Sequence, residues 1–150
     1  MELEKIKILI VDDDKDILKS LKDIMLSKGY QVDTAETAQN AIEKAKSQYF
    51  NLALLDIKLP DMEGTELLAK MHKEKPKMMK IMITGYPSLD NAVRALNLGA
   101  DAYIMKPVNP ENLLKVVEEK IKEQKEAESM TEEKIAEWIE NRIQKLEQNK

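Results

Sequence analysis

Five side chains in this sequence carry groups that can do chemistry together, and each stands at the end of a short apolar run. Asp12 and Asp13 follow IKILIV, Asp56 closes NLALLD, Thr84 follows KIMI and Lys106 follows AYIM. Short apolar runs between polar segments read as strands buried on both faces. In open α/β sheets, ligands and chemistry collect at the carboxyl ends of the strands. Three carboxylates, a hydroxyl and an ammonium therefore converge. Two carboxylates about 4 Å apart repel by roughly 4 kcal/mol at an effective dielectric near 20, so the group calls for a cation. Oxygen-only ligands favour a hard ion. Mg2+, which takes one or two carboxylates and keeps its waters and a phosphate oxygen, suits the set better than zinc or an all-protein calcium cage. A central carboxylate flanked by a metal, an ammonium and a hydroxyl is also what phosphoryl transfer to an aspartate needs, because the transferring group spreads negative charge over its equatorial oxygens. Asp56 is the nucleophile in that reading.

The elements that must position these groups alternate along the chain. Strands are expected at 6–11, 31–35, 51–56, 80–83 and 102–105, with 31–35 at an edge. Between them, apolar residues recur at helical spacing. The first helix carries Ile17, Leu18, Leu21, Ile24 and Met25, with Asp14 as its N-cap and Gly29 after its end. Further helices are expected at 37–47, 65–75 before Pro76, 89–98 before Gly99, and 111 to about 125. Such alternation predicts parallel strands joined by right-handed helical crossovers, a doubly wound α/β sandwich. The chain then divides into a domain over 1–125 and, over 126–150, a charged linker followed by a sixth, amphipathic helix. Ser129 with Glu132 suits a capping box opening that helix. Ala136, Ile139, Ile143 and Leu146 recur at spacings of three, four and three, flanked by Ile135 and Trp138. This stripe either covers the domain's own surface or pairs with a second chain as a homodimer.

Composition removes several function classes. At 150 residues, with 43% apolar and 35% charged residues, the chain suits one domain with an appendage. No apolar run approaches the roughly 20 residues of a membrane span, and MELEKIKILIV lacks the features of a signal peptide, which points to a cytoplasmic protein with no membrane partner. Without cysteine there are no disulfides or thiolate metal sites, and the single histidine, His72, excludes a multi-histidine zinc site. A net charge of -4 offers no basic footprint for nucleic acid.

The motifs ILIVDDD, LLDIKLPDMEG, MITGYPS and GADAYIMKPV, in this order and spacing, resemble those of response-regulator receiver domains, the phosphoaccepting half of two-component signalling. The likeness covers about Lys5 to Lys125 and is nearest to single-domain, chemotaxis-type regulators. It implies a flavodoxin-like five-stranded sheet of order 2-1-3-4-5, with five flanking helices here followed by the extra C-terminal one. It implies that Asp56 is the phosphoacceptor, that Asp13 binds Mg2+ directly while Asp12 acts mainly through water, and that the Lys58 backbone carbonyl completes the metal shell. Thr84 would bind a phosphoryl oxygen, Lys106 would pair with the phosphoryl group, and Tyr103 occupies the aromatic switch position. The Lys106–Pro107 bond matches one usually cis in the family, and Lys58 and Tyr86 lie where members tune dephosphorylation. Implied partners are a sensor histidine kinase and a downstream protein target. Catalysis would extend no further than the chain's own phosphoryl transfer and autodephosphorylation.

Other readings compete at several of these positions. Asp14 is a helix cap before it is a ligand. Asp12, Asp14 and Asp16 imitate a calcium loop, but Ile17 stands where that loop needs glycine and Asp23 where it needs glutamate. Tyr103 also suits a core aromatic, and His72 an exposed helix residue. A hydrolase using an aspartyl phosphate would want a second aspartate where Lys58 stands. A receiver-fold interaction module that takes no phosphate, or a receiver fragment of a larger regulator, remains the alternative. A single helix after the domain is too little for a helix-turn-helix, so direct DNA binding is not expected.

Overall fold

The computed structural model describes residues 5–85 and 88–148. Tyr86 lies outside the described residues. Five strands, β1 (Lys7–Val11), β2 (Gln31–Ala35), β3 (Leu52–Asp56), β4 (Met79–Thr84) and β5 (Ala102–Met105), form one parallel sheet in the order β2-β1-β3-β4-β5. Five helices connect and flank them: α1 (Lys15–Ser27), α2 (Ala38–Ser47), α3 (Gly64–Glu74), α4 (Leu89–Asn97) and α5 (Pro110–Gln148). The side-chain alternation of the strands divides the core in two. Leu9, Val11, Ala53, Leu55 and Met82 face α2, α3 and α4, while Ile8, Ile10, Leu54, Ile81 and Ile83 face α1 and α5. Every residue of β3 is buried, as its central place between β1 and β4 requires. No helix among the described residues is long and apolar enough to cross a membrane.

Among the described residues the expected linker and separate sixth helix are absent. Instead α5 runs unbroken through Ser129 to Gln148, so the Ser129–Glu132 capping box does not form. The reason is local. Residues 118–134 contain neither glycine nor proline and are mostly Glu, Lys, Gln, Ala and Met, all strong helix formers, so one serine does not outweigh its neighbours. From Glu126 onward every described side chain is exposed.

Two buried polar groups brace the sheet at the end away from the strand tips. The Gln124 side chain of α5 donates to the backbone carbonyls of Asn51 (2.9 Å) and Lys77 (2.8 Å). The Asn51 side chain in turn accepts the Lys7 N–H at 3.0 Å, so one helix residue is linked to the starts of β1, β3 and β4. Lys80, fully buried in β4, donates from Nζ to the Lys75 carbonyl at 2.9 Å and to the Met78 carbonyl. Burial lowers its pKa, with Asp101 opposing that shift.

Candidate functional site

At the carboxyl ends of β1 and β3 the chain places Asp12, 2% exposed, and Asp56, 7% exposed, with Asp13 beside them in solvent. The backbone of Asp12 donates to the Ala35 carbonyl at 3.1 Å, extending the ladder between β1 and β2. Its carboxylate accepts the Asp14 N–H at 2.9 Å. Asp14 itself caps α1, accepting from Asp16 N (2.9 Å) and Ile17 N (3.2 Å), so its carboxylate is spent on the helix. Carboxylate oxygens of Asp12, Asp13 and Asp56 lie within 4.8 Å of one another. This all-oxygen donor set, two members buried and one open to solvent, fits a hard divalent cation that keeps part of its water shell.

Lys106 reaches in from the end of β5. Its Nζ lies 3.0 Å from Asp12 Oδ2 and 3.3 Å from Asp56 Oδ1, and its backbone N–H donates to the Thr84 carbonyl at 2.7 Å. Burial alone would depress its pKa, but the hydrogen bond and charge of Asp12, then Asp56, raise it overall. The same burial acts oppositely on the acid. Desolvation, then the neighbouring Asp12 charge, pushes the Asp56 carboxyl above the usual range, against the partial relief given by Lys106 and a Lys58 backbone hydrogen bond. One ammonium thus balances two buried carboxylates incompletely. The electrostatic deficit is what a bound cation would remove.

Thr84 is fully buried at the tip of β4, and the adjoining Lys106–Pro107 peptide is cis, as the resemblance implied. Tyr103 in β5 packs against the core on the α2–α4 side. Its hydroxyl is buried and is the one buried side-chain polar atom among the described residues without a hydrogen-bond partner. Leu89, Ala92, Tyr103, Met105 and Asn112 line a groove of about 550 Å³ between α4, β5 and α5.

Two residues of the loop after Asp56 have roles that sequence reading did not assign. At Gly64 a Cβ would overlap the Asp56 carbonyl oxygen and lie 2.6 Å from the Ile57 Cα, because the Gly64 N–H donates to the Ile57 carbonyl at 2.7 Å and the loop folds back on the strand end. A glycine opening a helix, where no C-cap calls for one, was the available signal. Asp61 accepts from the Ala38 and Gln39 N–H groups, both at 2.9 Å, and ties this loop to the start of α2. Those bonds hold its carboxyl below the usual range.

A family model described as the response regulator receiver domain matches residues 8–118. A CheY-like response regulator receiver domain protein from Methanospirillum hungatei JF-1 superposes with a TM-score of 0.81 at 58% identity, covering 83% of this chain and 99% of that one. The BeF3-activated DrrB receiver domain gives a TM-score of 0.74 at 30% identity, covering 79% of this chain and 97% of that one. Among curated proteins, the alginate biosynthesis transcriptional regulatory protein AlgB of Pseudomonas aeruginosa is 36% identical over 107 residues, which are 71% of this chain and 24% of AlgB. The chain thus spans about a quarter of that relative's length.

Proposed function

The chain belongs to the response regulator receiver family, and on that footing we propose that Asp56 accepts a phosphoryl group from a sensor histidine kinase and that the adduct biases a protein-docking face. The observation that carries this reading is the seating of Asp56, buried at a strand tip with Lys106 Nζ 3.3 Å from its carboxylate and two further aspartates beside it. An Asp56 carboxylate oxygen attacks phosphorus, and the O–P bond forms as the N–P bond of the donor phosphohistidine breaks. Burial raises the energy of the unmodified carboxylate and so favours its attack. Asp12, Asp13, Asp56 and the Lys58 backbone carbonyl would hold Mg2+, which when bound neutralises charge on the phosphoryl oxygens. Lys106, already between Asp12 and Asp56, turns to pair with the phosphoryl group, and the Thr84 hydroxyl binds another of its oxygens.

Moving a population from 1:99 to 99:1 takes about 5.5 kcal/mol, whereas one charge-assisted hydrogen bond contributes roughly 1.5–3. Thr84 therefore acts with Lys106 and the loop backbone. Tyr103 reports their movement on the face of α4, β5 and α5, where Leu89 and Met105 are exposed. A downstream protein reads that face in the cytoplasm, without direct contact to nucleic acid or membrane. A second reading, a receiver working within a larger transcriptional regulator, is favoured by the names of relatives such as AlgB.

Incubation with acetyl phosphate and Mg2+ is expected to add one phosphoryl group, seen by intact mass, and Asp56→Asn to abolish it. An adduct of the same yield on Asp56→Asn would overturn the assignment.

A further inference from the structure

The final stretch of α5 presents Ile135, Trp138, Ile139, Ile143 and Leu146 to solvent, each between 46% and 64% exposed. An isolated helix gains nothing from such residues, since helix stability in water comes chiefly from packing an apolar face. The stripe sits on the same unbroken helix that Gln124 fastens to the sheet, so it stands clear of the domain and does not fold back over it. We propose that its partner is the same stripe of a second copy, in a parallel, in-register, two-stranded coiled coil.

The spacing supplies the register. Ala136 and Ile143 take the a positions and Ile139 and Leu146 the d positions of two successive heptads. A β-branched residue at a beside leucine at d, as in Ile143 and Leu146, favours two strands, and Ala136 lets the helices approach closely. Charge supplies the direction. In the parallel arrangement Arg142, at g, faces Glu147 of the second copy, at e, and symmetry repeats the pair on the other side of the seam. An antiparallel arrangement sets the edge formed by Glu140 and Glu147 against itself. Arg142 lies on the opposite flank of the seam, its guanidinium 5.9 Å from the centroid of the Trp138 ring. The pairing uses none of the Asp56 site and stands whether or not Asp56 takes phosphate.

The full chain tests this directly, because it contains no cysteine of its own. Mild oxidation is expected to convert Ile143→Cys to a covalent dimer and to leave Asn141→Cys, on the outer face, as single chains. Sedimentation over about 1 to 100 µM should show a dimer that strengthens with concentration by mass action. The double variant Ile139→Lys, Ile143→Lys should weaken association on the order of 100-fold while leaving the phosphoryl adduct on Asp56 unchanged. A single-chain mass throughout that range overturns the proposal. So does a dimer that survives the double lysine variant, or cross-linking at Asn141→Cys as efficient as at Ile143→Cys.

Discussion

In the proposed reaction Asp56 would bear two opposed demands: it must be ionised to attack phosphorus, and its surroundings resist ionisation. Its carboxyl pKa is raised in the folded chain, first by burial and then by Asp12. A raised folded value means that the stability Asp56 contributes is fully present below the unfolded carboxylate pKa and is lost as pH rises through the folded one. At neutral pH without divalent cation, Asp56→Asn is therefore expected to stabilise the fold by on the order of 1 kcal/mol. Urea denaturation in a chelator should show the gain shrinking as pH falls into the carboxylate range, and a pH-independent gain would refute the electrostatic cause. Strand-end residues such as Asp12, Asp56, Thr84 and Lys106 were legible in sequence because each terminates an apolar run. Lys80 was not. Its buried ammonium is satisfied by the Lys75 and Met78 carbonyls in the turn between α3 and β4, partners that only the folded turn brings within reach.

Elements were legible where periodicity and terminators agreed. Asp14 caps α1, and Gly29 and Gly99, both with positive φ, follow the ends of α1 and α4 as their positions suggested. Reading failed at α5, where a possible cap at Ser129 was set above the helix propensity of everything around it. It was silent at the start of α3, where the need for Gly64 arises from backbone approaching backbone across the loop. Gly64→Ala must push the loop away from Asp56 and is expected to cost about 2–3 kcal/mol, measured by chemical denaturation. The same displacement should slow phosphoryl uptake at Asp56. Full stability together with wild-type uptake would show that the loop yields without consequence.

The whole molecule consists of a sheet domain and a rod. Because every described side chain from Glu126 onward is exposed, ending the chain after Glu128 removes little of the core. The truncated protein is expected to keep its unfolding free energy, measured where the full chain is monomeric, to within about 0.5 kcal/mol. A larger loss would mean that the rod folds back onto the domain. In mechanical terms, the bond of Gln124 to the starts of β3 and β4 makes a fulcrum. The short arm of α5 runs from there to Pro110, four residues beyond Lys106, and the long arm extends about 36 Å to Gln148 at 1.5 Å per residue. A tilt of about 5° at the site end would displace the far tip by about 3 Å, as lever geometry over that length requires. Spin labels at Gln148 and in β2 should register that displacement on addition of BeF3 and Mg2+, and an unchanged distance distribution would mean that the fulcrum is a clamp. If the displacement is seen, Gln124, which fastens the rod, also sets the gain with which a movement near Pro110 reaches Gln148.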